Sequence, residues 1–93
     1  MDNEEIARIV GWHYSKDFDL WVRGDHAVDA LPAYVSDLGA CVAELDRTGR
    51  DWRLYNYDDS VFNTHYQCWL DGFDARGKTL IEAIHNALVV HYR

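Results

Sequence analysis

Trp52-Arg53-Leu54-Tyr55-Asn56-Tyr57 and Thr64-His65-Tyr66-Gln67-Cys68-Trp69-Leu70 decide the fold. Both stretches are rich in aromatic and branched residues and alternate with period two, the pattern of half-buried strands. Asp58-Asp59-Ser60 between them supplies a turn, so the pair is expected to be antiparallel. Parity gives each strand two faces. One carries Trp52 and Leu54 with Tyr66, Cys68 and Leu70. The other carries Arg53, Tyr55 and Tyr57 with His65, Gln67 and Trp69. A helix over the second face is the expected arrangement, because large apolar sheet faces are rarely left open. Left open, Tyr55, Tyr57 and Trp69 would form an interaction site of the aromatic kind that dominates protein interfaces.

Working outward, three helices flank the strand pair. Asp2 to Val10 reads as a short helix. Asp2 or Asn3 caps it, Glu4 and Glu5 sit at its positive end, Ile6, Ile9 and Val10 form one stripe, and Gly11 closes it. A second helix starts at a Ser36 or Asp37 cap and runs to about Thr48 before Gly49. Leu38, Cys41, Val42 and Leu45 face inward, while Glu44, Asp46 and Arg47 face water. The third follows the Thr79 cap, with Leu80, Ile81, Ile84, Ala87, Leu88 and His91 at helical spacing. Phe18, Leu20 and Val22 alternate with Asp17, Asp19 and Trp21 as a short strand, and Trp12 and Tyr14 continue that parity. Gly24 to Pro32 and Gly72 to Lys78 read as loops. The expectation is a single α+β domain over residues 1–93, a small antiparallel sheet of two or three strands packed with three helices in the order α-β-α-β-β-α.

Composition removes several functions. Sixteen acidic against nine basic residues leave a net charge of −7, the opposite of a nucleic-acid binder's footprint, so no direct nucleic-acid contact is expected. The longest run without Asp, Glu, Lys or Arg, Ser60 to Leu70, has 11 residues and cannot cross a bilayer as a helix. Asp2, Glu4 and Glu5 are unlike the positive start of a secretion signal. The cytoplasm is therefore the expected location, with Cys41 and Cys68 as reduced, buried thiols.

Motifs for chemistry are scarce. His65 and Cys68 are three apart on a strand and His85 and His91 six apart on a helix, so neither pair shares a face for a metal, and no metal or other cofactor is expected. No serine lies in a nucleophile elbow. Cys41 with a distant histidine is conceivable, but it lies on the inward stripe of its helix, where a thiol is inert. Gly72-Phe73-Asp74-Ala75-Arg76-Gly77-Lys78-Thr79 has the GxxxxGK[ST] spacing of a phosphate-binding loop. Bulky and charged residues fill it, and only 14 residues follow, too few for a nucleotide fold.

What remains is surface. Residues 1–37 hold eight acidic and three basic side chains, a net −5, against −2 for the rest. Much of that charge keeps a small protein soluble. Within it, Asp17, Asp19, Asp25 and Asp29 could make one negative patch. Carboxylates at i and i+2 on a strand lie roughly 7 Å apart, close to the spacing of nucleic-acid phosphates.

Leu31-Pro32-Ala33-Tyr34-Val35-Ser36-Asp37-Leu38, leading into a helix, resembles the Pro-x-Tyr-Ser-x-Asp stretch of the phage ABA-sandwich domain family. Thr79-Leu80-Ile81-Glu82-Ala83-Ile84-His85-Asn86-Ala87-Leu88 is similar to that family's closing helix, so the resemblance spans about residues 12–93. It implies a small phage or prophage protein whose sheet is sandwiched by helices, and it carries no catalytic residues. Together these features lead to an expectation of a phage-encoded, non-enzymatic protein in the bacterial host cell. It would be a monomer or homodimer that inhibits a defence complex, in the manner of an anti-CRISPR protein. Asp17, Asp19, Asp25 and Asp29 would meet a basic surface of a host or defence-system protein, and Tyr55, Tyr57 and Trp69 would anchor the contact. The alternatives are a phage structural or assembly accessory that self-associates, and a small-ligand-binding protein or minor enzyme.

Overall fold

The structure is a computed structural model that describes residues 1–59 and 63–93. Its elements run α1 (Asn3–Ile9), β1 (His13–Ser15), β2 (Leu20–Arg23), β3 (His26–Val28), α2 (Leu38–Arg47), β4 (Trp52–Asp59), β5 (Asn63–Leu70), β6 (Phe73–Gly77) and α3 (Leu80–Tyr92). The α+β class and the three helices are as expected. The order is not: there are two three-stranded antiparallel sheets, β1-β2-β3 and β4-β5-β6, in place of one smaller sheet.

The additional strands come from turns. Leu70 pairs with Phe73 across Asp71-Gly72, whose φ angles of 50° and 86° are both left-handed, the geometry that Asp-Gly favours in a two-residue hairpin. The expected loop Gly72 to Lys78 is therefore mostly β6. Arg23 pairs with His26 across Gly24-Asp25, with φ 57° at Gly24, so the expected loop from Gly24 contains β3. Phe18 is not on a strand. The chain reverses over Lys16–Asp19, where Asp19 takes φ 55°, and this separates β1 from β2. Trp12 and Tyr14 thus lie before the reversal and do not extend β2.

Helix α1 has the capping box of Asp2 and Glu5, and it ends where Gly11, at φ 108°, lets the Trp12 and Gly11 amides bond the Ala7 and Arg8 carbonyls. Asp37 caps α2 by accepting from the Gly39 and Ala40 amides, and Thr79 caps α3 through the Glu82 amide.

Helix α3 is central. Ala83, Ile84, Ala87 and Leu88 are buried between α1 and α2 on one side (Ile6, Ala7, Val10, Cys41, Leu45) and the second sheet on the other (Cys68, Leu70, Ala75). Each large aliphatic side chain buried there contributes about 1.5–3 kcal/mol. At Gly77 the start of α3 approaches the sheet closely, since a Cβ there would lie 2.5 Å from the Ala83 nitrogen.

The β4–β5 register pairs Trp52 with Leu70, Leu54 with Cys68 and Tyr55 with Gln67, the facial division expected. The cover is different. Helix α3 packs on the face of Cys68, Leu70 and Ala75, while Arg53, Tyr55, Asp74 and Arg76 on the opposite face are exposed. The expected second core layer is absent among the described residues, and so is a helix on each face of this sheet. Asp58 and Asp59, expected in a turn, continue β4; Ser60 lies outside the described residues. No helix among the described residues is long and apolar enough to cross a membrane.

Candidate functional site

The four aspartates of the proposed patch are all exposed, and none is ion-paired among the described residues. Asp17 and Asp19 sit in the β1–β2 turn, not on a strand, so the regular spacing of strand carboxylates does not apply to them. Tyr14 Oη donates to Asp19 Oδ1 and fixes the left-handed residue. Tyr14 also packs edge-on against Trp21 at 5.4 Å, and Arg8 lies over the Trp21 ring at 5.1 Å, so the turn stands on an ordered base. Asp29 follows β3 at the same end of the sheet, because Val28 pairs with Trp21 beside Leu20. Asp25 lies in the β2–β3 turn at the opposite end, about 13 Å away along the strand. Three of the four acids are thus brought to one end and the fourth is not. Between Asp17 and Asp19 stands Phe18, 76% exposed, more than any other large apolar side chain described.

The open face of the second sheet forms two rows across three strands, Arg53–Trp69–Asp74 and Tyr55–Gln67–Arg76. Arg53, Tyr55 and Trp69 line a cleft of about 290 Å³. Tyr55 is exposed and Trp69 half-buried. Tyr57 pairs with His65 in the same register, and its side chain lies outside the described residues. The aromatic residues and the acidic end therefore belong to different sheets.

A buried polar cluster was not expected. Glu44, read as facing water, is 3% exposed. Its carboxylate accepts from Arg23 Nη1 at 2.7 and 2.9 Å and from Tyr34 Oη at 2.9 Å, while Trp12 Nε1 donates to Tyr34 Oη at 2.9 Å. The Arg23 guanidinium lies 4.5 Å over the Trp12 ring. Burial, led by desolvation, raises the Tyr34 hydroxyl to about 12, so it remains protonated and donates to Glu44. A glutamate one position before an inward leucine, with an arginine on a neighbouring strand, was the available signal. Helical periodicity alone does not show it.

Cys41 also finds its distant histidine. Its Sγ lies 3.6 Å from His85 Nε2, and both sit on the Tyr34 carbonyl, at 3.0 and 2.7 Å. A nitrogen 2.7 Å from a carbonyl oxygen carries the proton and donates it, so Nε2 has no lone pair to deprotonate the thiol. Desolvation, with Asp37 and Glu44 nearby, lifts Cys41 to about 11, and desolvation lowers His85. These shifts oppose those of a thiolate–imidazolium pair. Cys68 is likewise raised to about 11 by burial, and both thiols are free.

The segment with phosphate-loop spacing is occupied by β6, an extended edge strand paired with β5, in place of a loop, and Gly77 faces α3. No group of three or more metal-ligating side chains occurs among the described residues. A shallow cleft of about 210 Å³ beside His85 is lined by Met1, Val35, Thr79, Ile81, Glu82 and Asn86. Fold and site together define a small α+β domain with two antiparallel sheets, an acidic, Phe-tipped turn on one and an aromatic-arginine face on the other. No protein-family model matches the chain, and neither a curated protein nor a solved structure matches it.

Proposed function

We propose that this chain is a phage-encoded binding protein without catalytic activity, acting in the bacterial host cytoplasm. It inhibits a defence complex, as an anti-CRISPR protein does, by occupying a basic nucleic-acid-binding surface. The observation that supports this reading is the set of exposed carboxylates of Asp17, Asp19 and Asp29 at one end of the first sheet, none of them ion-paired among the described residues. Unpaired acids on an ordered turn have no internal charge to lose on binding, so they meet an external cation at little cost. Asp25 extends the negative field from the other end of that sheet. Tyr55 and Trp69 lie on the other sheet and add a second contact where the partner is large enough to reach both. Phage origin rests on the family resemblance of residues 31–38 and 79–88.

The test is capture from a bacterial lysate expressing defence systems, followed by displacement of labelled nucleic acid from the captured complex. Displacement by the native chain, weakened by salt and lost with Asp17→Lys/Asp19→Lys, supports the reading. Binding that ignores both salt and those substitutions refutes it.

A further inference from the structure

We propose that a second copy of this chain docks head to tail, the Lys16–Asp19 turn of one copy seating Phe18 in the Arg53–Tyr55–Trp69 cleft of the next. Each half of the contact is unusual alone. Phe18 stands 76% exposed at the tip of a turn that Tyr14 and Asp19 hold in shape, so little order is lost when it docks. The cleft offers about 290 Å³ between an exposed tyrosine, a half-buried tryptophan and an arginine, the side chains that carry most interface energy.

Charge selects the occupant. The turn presents one cation and two anions: Lys16, Asp17 and Asp19. Among the described residues, the open face presents two cations and one anion: Arg53, Arg76 and Asp74. None of the six is ion-paired among the described residues. In a protein of net charge −7, this face carries a local excess of arginine and suits an acidic, aromatic-tipped segment. The chain itself provides one. The two surfaces are different, so the contact is heterologous and each docked copy leaves a free turn and a free cleft for further copies. Partner binding uses the same turn, so the self-contact and the proposed inhibitory contact exclude one another.

The test is sedimentation equilibrium at rising concentration, with circular dichroism confirming that each variant is folded. The native chain is expected to exceed the monomer mass as concentration rises and to return towards it in high salt. Phe18→Ala and Arg53→Glu/Trp69→Ala are each expected to weaken association at least tenfold, in keeping with loss of a hot-spot contact. Their equimolar mixture should form a dimer and stop there, because one variant keeps the cleft and the other the turn. A native chain monomeric at all concentrations, or a Phe18→Ala variant that associates like the native one, overturns the proposal. Either failure leaves the defence-complex reading standing, since that depends on displacement of nucleic acid and not on mass.

Discussion

Replacing Arg23 with methionine tests the buried cluster that ties β2 to α2. Glu44 then keeps the Tyr34 hydroxyl but loses the guanidinium that bonds both its oxygens. Arg47, half-exposed with its Nε at 3.7 Å, is a poor substitute. Stranding a buried carboxylate costs about 3–5 kcal/mol. The stacking of Arg23 on Trp12 contributes roughly a further 0.5–2 kcal/mol. For a chain of 93 residues the unfolding entropy is about 195 cal/mol/K, so each kcal/mol moves Tm by about 5 °C. Together these contributions lead to an expected fall in Tm on the order of 18–35 °C. Arg23→Met/Glu44→Leu removes both charges and should recover more than half of that loss, because an apolar replacement strands no ion. Urea unfolding followed by tryptophan fluorescence, together with thermal melts, completes the double-mutant cycle. A single variant that loses less than about 1 kcal/mol, or a double variant no better than the single, refutes the assignment of Arg23 as the partner that keeps Glu44 buried.

Cys41 and Cys68, raised to about 11 from 9.0, contribute stability that is complete below pH 9 and lost as pH rises through 11. A native-state thiol assay at pH 8 should find neither reactive, and denaturant should release both. His85, lowered from 6.5, is held neutral in the fold, so stability is complete above pH 6.5 and falls as the pH drops from there towards its folded value. His85→Gln, which can still donate to the Tyr34 carbonyl, should flatten that acid slope in pH-dependent melts. Gly77→Ala should destabilise by about 1–3 kcal/mol through its contact with the start of α3, whereas an unchanged melting temperature would contradict the close packing there.

Much of the fold was legible where a local device and a period agreed. The Thr79 cap and the Trp52–Leu70 facing pattern are where the residues place them, and the structure selects Asp2 over Asn3 and Asp37 over Ser36 as the other two caps. Asp71-Gly72 and Gly24-Asp25 are two-residue hairpin turns that read as loops in the sequence, because strands of three to five residues beside them are too short for alternation to stand out. The Lys16–Asp19 reversal was hidden because Phe18, Leu20 and Val22 keep a strand's parity through a turn. The openness of the Tyr55 face could not be read at all, since it depends on α3 packing between the sheet and the other two helices. Glu44 is the clearest case of tertiary context: a glutamate on a helix reads as solvated unless the arginine opposite is already known.

The most direct measurement is competition between this chain and labelled nucleic acid for a purified defence complex captured by it, read by fluorescence anisotropy across a salt series. Stoichiometric release of the nucleic acid, weakening as salt rises and abolished by Asp17→Lys/Asp19→Lys, is the expected result. Nucleic acid that stays bound at any excess of the chain, or release that the two substitutions leave unchanged, would contradict the claim that its carboxylate-bearing surface is what acts.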